Sequence, residues 1–359
     1  MRYAVVMAGG SGTRLWPLSR QGAPKQLLEL FDGRSLLRLA YERIRGLLPD
    51  ECILICTSRD YIDVVAQQIP ELPRENLLGE PVGRDSLNAV AWSAAVLARR
   101  DPEAVVAMLS ADHVIEPVSQ FRATLERAFE VAEARPRGLV TMGVVPTEPN
   151  TGFGYLHRGA ELEGFPGAFR VLEFREKPGL AQAEEYVASG QFWWNAGMFV
   201  WRAGLLLELL DVLLPETADA VRRIAREPES LAEIFPTLTK ISVDYAVMQP
   251  ASTDEVDAEV LAVPLEIEWS DVGSHQSLAS QFALDEHGNR RDGVTVTLDT
   301  QGSVLVNTTG GEHVVAALGL REMLVVHTAS ATLVSPLSEA SRVKELVELV
   351  REQCGAEFA

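Results

Sequence analysis

Chemistry is most legible in one glycine-rich segment near the start of the chain. An apolar run from Tyr3 to Met7 leads straight into Ala8-Gly9-Gly10-Ser11-Gly12-Thr13-Arg14-Leu15. Glycines after a buried strand allow tight turning and close backbone approach, and their N–H groups can cradle phosphate oxygens. The segment is not a Walker A loop, which needs Gly-x-x-x-x-Gly-Lys-Ser/Thr. It is not the dinucleotide fingerprint either, because Leu15 stands where the third glycine belongs. Taken alone, a structural turn explains it as well as a phosphate site does. Arg14 at its end and Lys25 in Pro24-Lys25-Gln26 shift the balance, since an Arg and a Lys flanking such a loop neutralise a polyphosphate from two sides. The whole chain carries a net charge of −19. That argues against nucleic acid or an anionic membrane as a partner, because both need clustered Lys and Arg. Any phosphate site here must concentrate its few cations locally.

Two aspartates stand at the ends of apolar runs. Asp112 follows Val105–Leu109, and Asp271 follows Leu265-Glu266-Ile267-Glu268-Trp269 just before Gly273. Each reads as a turn or cap aspartate or as a hard oxygen ligand. Asn195 lies inside Phe192-Trp193-Trp194-Asn195-Ala196-Gly197, where a lone amide among aromatics is either a satisfied core group or a reader of hydroxyls. The six histidines are scattered, and no Ser-His-Asp arrangement stands out.

The segment Gly9-Gly10-Ser11-Gly12-Thr13-Arg14-Leu15-Trp16-Pro17-Leu18-Ser19 with Pro24-Lys25-Gln26 closely resembles the signature of the sugar-1-phosphate nucleotidyltransferases. More locally it is similar to their mannose-1-phosphate guanylyltransferase branch. The resemblance continues in order through Glu80-Pro81-Val82-Gly83-Arg84, Ser110-Ala111-Asp112-His113 and Thr151-Gly152-Phe153-Gly154-Tyr155. It goes on through Phe174-Arg175-Glu176-Lys177-Pro178, Trp194-Asn195-Ala196-Gly197-Met198-Phe199, Ser242-Val243-Asp244-Tyr245 and Trp269-Ser270-Asp271-Val272-Gly273. It covers about residues 1–280 and, more loosely, the tail.

The resemblance implies transfer of GMP from GTP to mannose 1-phosphate, with a sugar-phosphate oxygen attacking the α-phosphorus in line and pyrophosphate leaving. That nucleophile is already ionised at neutral pH, so cations and a divalent metal matter more than a general base. By resemblance, Ala8, Gly9, Gly10, Gly12 and Thr13 bind the nucleotide, Arg14, Lys25 and Lys177 act on the phosphates, and Asp112 and Asp271 hold Mg²⁺. Lys177 meets the sugar 1-phosphate, with Glu176, Asn195 and the Gly154 backbone on the sugar. Asp244 is left open between a sugar-site wall and a helix cap. Glu80 is the candidate base reader, because a carboxylate can accept from both the N1–H and N2–H₂ of guanine, a donor pair that adenine lacks. Arg84 and Asp85 are expected to line that pocket, although the family more often has Asn-Thr-Ala-Pro where Asp85-Ser86-Leu87-Asn88 stands here. Met248-Gln249-Pro250 also departs from a more usual acidic residue. Other sugar 1-phosphates or nucleotides remain the alternative within the same chemistry, and a non-catalytic sensor of nucleotide sugars is the alternative outside it.

The elements that must position these residues alternate. Tyr3–Met7, Cys52–Cys56 and Val105–Leu109 are continuous apolar strands. Between them, Leu36, Leu37, Ala40, Tyr41, Ile44 and Leu47, and then Leu87, Val90, Ala91, Ala94 and Leu97, follow helical spacing, with Ser35 and either Asp85 or Ser86 as caps. This pattern predicts an α/β fold: a Rossmann-like mixed, mostly parallel sheet covered by helices, with ligands beyond the strands' carboxyl ends. Residues 1–280 are expected to form the catalytic domain. Residues 281–359 read as a small C-terminal β module, with short strands about every ten residues and a final helix with Val343, Leu346, Val347 and Val350 on one face. The resemblance makes that module β-helical, with a role in interdomain or dimer packing, so a homodimer is one expectation. The tail resembles the short module rather than the long extra domain of the bifunctional members that also isomerise mannose 6-phosphate, so no second activity is expected. Three cysteines with no framework, and no signal peptide or membrane-length apolar run, predict a cytoplasmic protein.

Overall fold

The computed structural model describes residues 1–10, 12–20, 22–30, 33–253 and 255–359, so Ser11 of the glycine loop lies outside the described residues. The chain forms two compact units, neither contiguous in sequence. The first comprises Met1–Gly9, Ala40–Ala111 and Ile115–Trp269, and the second Gly10–Leu39, Asp112–Val114 and Ser270–Ala359.

The strands up to residue 264 are β1 (Arg2–Ala8), β2 (Ile53–Ser58), β3 (Leu77–Glu80), β4 (Val105–Ser110), β5 (His113–Glu116), β6 (Gly138–Val144), β7 (Tyr155–Leu162), β8 (Phe165–Arg175), β9 (Phe192–Arg202) and β10 (Glu259–Pro264). All but β5 join the nine-stranded sheet of the first unit, in the order β3-β2-β1-β4-β9-β6-β10-β8-β7. β3, β2, β1 and β4 run parallel, as do β6 and β10, while β9 and β8 run against them. The mixed, mostly parallel sheet is thus as expected. Its central strands read as unbroken apolar runs because both faces are covered. Helix Asp85–Arg100 buries Leu87, Val90, Ala91, Ala94 and Leu97, and helix Val118–Ala134 buries Phe121, Leu125, Ala128 and Phe129. The register sets Ala8 beside Thr57, Ser58 beside Glu80, and Met7 beside Ser110. The carboxyl ends of β1 to β4 therefore lie together.

Two local expectations change. Cys52 ends a short 3-10 turn rather than opening β2, and it and Cys56 are buried, free thiols. Asp85 does not cap its helix in the ordinary way: Arg84 holds the cap position, and Asp85 has φ 64° with its Oδ1 accepting from the Ser86 N–H at 2.9 Å. The Ser86 hydroxyl is turned to the Val243 N–H instead. At the other predicted cap, Ser35 does accept from the Arg38 N–H at 3.1 Å.

In the second unit, β11 (Glu268–Asp271) ends at Asp271, and six strands follow. They are β12 (Arg290–Asp292), β13 (Thr295–Leu298), β14 (Val304–Asn307), β15 (Val315–Leu318), β16 (Met323–His327) and β17 (Thr332–Pro336). β12, β14 and β16 stack in parallel, with Val304 beside Leu324, while β13 stacks on β15, with Thr295 beside Val315. The chain therefore coils, and its first two turns each lay one strand on each of two small sheets, before β17 returns antiparallel to β16. Buried asparagines hold the corners. Asn307 donates to the carbonyls of Val294 and His313 at 2.9 and 2.8 Å. Only glycine fits at 293, since a Cβ there would fall 2.0 Å from the Asn307 oxygen at φ +73°. The last helix, Val343–Cys354, buries Val343 and Val347, but Leu346 is 39% exposed, outside the apolar face expected for it.

Val304, Val306, Leu324, Val326, Leu333, Val343 and Val347 share one core with Leu15, Trp16, Leu18 and Leu36. The residues that follow the glycine loop are thus packed on the coil. Trp16 Nε1 donates to the Phe358 carbonyl at 2.6 Å, and the ring of buried His275 meets the Trp16 carbonyl at 2.9 Å. Among the described residues no helix is long and apolar enough to cross a membrane. Leu324→Ala should cost about 2–5 kcal/mol by cavity formation, read as a lower urea midpoint at unchanged slope. A loss below about 1 kcal/mol would mean that this core is not what holds the second unit together.

Candidate active site

In the second unit the glycine loop turns through positive φ at Gly10 (+91°) and Gly12 (+63°), which glycine adopts without strain. Gly12 has a further reason: a Cβ there would lie 3.1 Å from both Cβ and N of Lys25. The Ser19 hydroxyl and the Leu15 N–H both donate to the Gly12 carbonyl, which pins the loop to the short turn Thr13–Leu15. Arg14 stands exposed on that turn.

Lys25 is 8% exposed, and its ammonium lies 2.6 Å from Asp112 Oδ2, 3.7 Å from Asp271 Oδ1 and 3.1 Å from the Val272 carbonyl. The Val272 N–H donates to the Asp112 carbonyl at 3.0 Å, which ties the two aspartate segments together. Two aspartates far apart in sequence thus share one cation. Asp112, His113 and Asp271 each offer a ligand atom within 4.8 Å of the others. Asp271 Oδ1 is buried without a hydrogen-bond partner. Two carboxylates, one with an orphaned oxygen, are a donor set suited to a hard divalent ion. In the sequence His113 is only part of a matched segment, and its place beside both aspartates is a structural finding.

The first unit carries two further groups. Glu80 ends β3, is 7% exposed, and has its pKa pushed up to about 7 by burial. A Cβ on Gly9 would stand 3.8 Å from its Oε2, so the carboxylate lies beside the start of the glycine loop. The Ala8 carbonyl accepts from Thr57 Oγ1 at 2.9 Å, which fixes the end of β1. Arg84 points its guanidinium at the Pro236 carbonyl, and Asp85 is bonded to its own helix start.

The second group is built on β8, β9 and the turn at Asp244. Glu176 is buried, and Lys177, at φ +45°, sets its Nζ 2.9 Å from Glu176 Oε1. Burial alone would lower the Lys177 pKa, but the Glu176 hydrogen bond and the charges of Glu176 and Asp244 outweigh it and raise the value. A Cβ on Gly154 would lie 2.6 Å from Glu176 Oε2 and 3.3 Å from Phe174 Cζ, so any other residue there would displace the Glu176 carboxylate. The Asn195 N–H donates to the Gly154 carbonyl at 2.8 Å, and Asn195 Nδ2 donates to Asp244 Oδ1 at 2.9 Å. Burial, and then the charge of Glu176, raise the Asp244 pKa. Gly154, Glu176, Lys177, Asn195 and Asp244 are therefore one cluster. Phe153 packs on Trp194 and Trp269 with ring centroids 5.2 Å apart in each case, an aromatic wall beside it. The arrangement offers a cation to a phosphate, and carboxylates and an amide to neighbouring hydroxyls.

For the aspartate pair, Mn²⁺ added with a nucleoside triphosphate should give a bound-ion paramagnetic resonance signal. Asp271→Asn should weaken that binding by about tenfold or more. Equal binding in the variant would remove Asp271 from the donor set.

Residues 3–288 match the nucleotidyl transferase family, and residues 293–349 match a mannose-phosphate isomerase/GMP-like β-helix domain. The chain is 38% identical over 362 residues to a mannose-1-phosphate guanylyltransferase of Escherichia coli, covering 97% of this chain and 73% of that protein. Among solved structures, it superposes on a Thermus thermophilus protein described as a mannose-1-phosphate geranyltransferase, with TM-score 0.86 and 36% identity over 98% of this chain and 99% of that one. It also superposes on a Helicobacter pylori mannose-6-phosphate isomerase, with TM-score 0.60 and 27% identity over 75% of this chain and 99% of that one. The chain belongs to the nucleotidyl transferase family, and groups there with the mannose-1-phosphate guanylyltransferases.

Proposed function

We propose that this chain transfers GMP from GTP to mannose 1-phosphate, giving GDP-mannose and pyrophosphate. The observation that carries the reading is the Glu176–Lys177 pair packed against Gly154, with Asn195 and Asp244 beside it. A cation next to buried carboxylates and an amide suits a ligand that is phosphate at one end and polyol at the other. The choice of mannose and of guanine rests on the relatives' names and on Glu80.

Lys177 binds the sugar phosphate and keeps its nucleophilic oxygen oriented. Glu176 accepts from sugar hydroxyls at two oxygens, and Asn195 donates to one. The sugar phosphate needs no base, because its second ionisation is complete near neutral pH. Arg14, Lys25 and the N–H groups of Ala8, Gly9, Gly10, Gly12 and Thr13 neutralise the triphosphate and the departing pyrophosphate, where charge develops as the α-phosphorus is displaced. Asp112 and Asp271 would hold Mg²⁺, whose chemistry is to neutralise phosphate charge. Glu80 accepts from the guanine N1–H and N2–H₂, with Arg84 and Asp85 bordering the base.

The direct test is pyrophosphate release over a matrix of GTP, ATP, UTP, CTP and dTTP against the 1-phosphates of mannose, glucose and galactose. A maximum at GTP with mannose 1-phosphate supports the reading, and a maximum elsewhere replaces the base or the sugar. Glu80 supplies a second test. Its pKa is raised to about 7, and only the ionised form accepts both guanine donors. GTP affinity should therefore rise about tenfold between pH about 6 and about 8, whereas Glu80→Gln should bind more weakly and lose most of that slope. An identical slope in the variant would assign the titration to another group.

A further inference from the structure

We infer that Thr141 is a positioning residue whose hydroxyl, together with the Gly197 N–H and Asp244, holds the Asn195 amide with its nitrogen toward the sugar phosphate, an inference that rests on the reading above. Thr141 is fully buried on β6, in the otherwise apolar run Leu139-Val140-Thr141-Met142. A hydroxyl there costs free energy unless it is bonded, and valine would fill the same space. Its Oγ1 lies 2.8 Å from Asn195 Oδ1 and 3.1 Å from the Met198 carbonyl.

A carboxamide is almost symmetric in shape but not in chemistry, since one end only accepts and the other carries two donors. Two donors meet the Asn195 oxygen, the Thr141 hydroxyl and the Gly197 N–H at 3.2 Å. The Asn195 nitrogen gives one hydrogen to Asp244 Oδ1 at 2.9 Å. Its second hydrogen is the one left for a ligand hydroxyl, beside Glu176 and Gly154. The Gly197 bond is long and has a main-chain donor. The Thr141 hydroxyl has one hydrogen, and the Asn195 oxygen at 2.8 Å is a nearer acceptor than the Met198 carbonyl at 3.1 Å, so Thr141 is the side chain that donates to the oxygen on its inner side while Asp244 takes the nitrogen. With valine at 141, the oxygen keeps one long bond and the amide gains freedom to turn. Asn195 would then offer an acceptor where the sugar site, already lined by Glu176 and Asp244, needs a donor.

The experiment compares wild type, Thr141→Val and Thr141→Ser by steady-state kinetics and by the side-chain amide resonances of Asn195, assigned with Asn195→Ala. In Thr141→Val the KM for mannose 1-phosphate should rise about tenfold, equivalent to about one lost hydrogen bond. The KM for GTP and the thermal midpoint should stay close to wild type, and serine should restore the wild-type value. The Asn195 amide resonances should move in the valine variant and not in the serine variant. An unchanged KM for mannose 1-phosphate overturns the inference. So does a parallel rise in both KM values with a lowered midpoint, which would mark a purely structural hydroxyl. Were wild type inactive with mannose 1-phosphate, the proposed function would fail on its own, while the resonances would still decide Thr141: unmoved by valine, they overturn its role.

Discussion

One buried ammonium organises the cluster in which the two aspartates meet. Lys25 lies 2.6 Å from Asp112, 3.7 Å from Asp271 and 3.1 Å from the Val272 carbonyl, so two remote chain segments converge on it. Two carboxylates brought this close repel strongly once water is thinned around them, and a fixed cation makes their approach tolerable. The chain's net charge of −19 makes the constraint sharper, because an unbalanced acidic pocket would repel every phosphate. Gly12 follows from the same requirement. Any side chain there would press on the Lys25 backbone N and Cβ at 3.1 Å, at the root of the side chain that carries the ammonium. The loop's glycines therefore serve two ends, free N–H groups and the space that a lysine needs.

The cluster around Glu176 meets the opposite problem with similar means. Glu176 and Asp244 are two carboxylates with one ammonium, Lys177, near them. Burial and mutual repulsion raise the Asp244 pKa, and the Asn195 amide, Lys177 and a backbone bond partly offset the rise. Such a cluster is under-supplied with donors. Under the proposed function, a polyol would bring donors to Glu176 and Asp244, and its phosphate would bring a second anion to Lys177. Complementarity here is a matter of hydrogen-bond count as much as of shape.

What can be read in the sequence follows from how local each feature is. The strands from Tyr3, Ile53 and Val105 are legible because strands covered on both faces leave unbroken apolar runs, and the first and third of those runs lead into candidate site residues, the glycine loop and Asp112. The glycine loop, the matched segments and the coiled β module are legible for the same reason. Other features depend on contacts across hundreds of residues. No periodicity shows that residues 10–39 pack with residues 270–359, or that His113 stands beside Asp271. Asp85 reads as a possible cap because its type fits, but a helix entered at φ 64° uses the side chain on its own backbone instead. Thr141 leaves one faint signal, a hydroxyl inside an apolar strand, which acquires meaning only beside Asn195.

The shared core of the second unit bears on why a phosphate loop should be packed on a coil of strands at all. Glycine-rich loops lose more backbone entropy on ordering than other segments, so their N–H groups are easy to aim and hard to keep aimed. Leu15, Trp16 and Leu18 bury the residues just after the loop among Val304, Val306, Leu324 and Val326, so part of that ordering is offset by apolar burial outside the loop. Trp16 is held from both sides. Its indole donates to the Phe358 carbonyl, and its own carbonyl faces His275, whose pKa is lowered by burial. A neutral imidazole beside a carbonyl can only donate, so the ring sits as the Nε2–H tautomer and holds Trp16 without adding charge next to the phosphate site. The β coil is then part of what orders the loop in advance, and under the proposed function that order would matter, because electrostatic stabilisation of a leaving group requires donors that do not have to be ordered when the charge arrives.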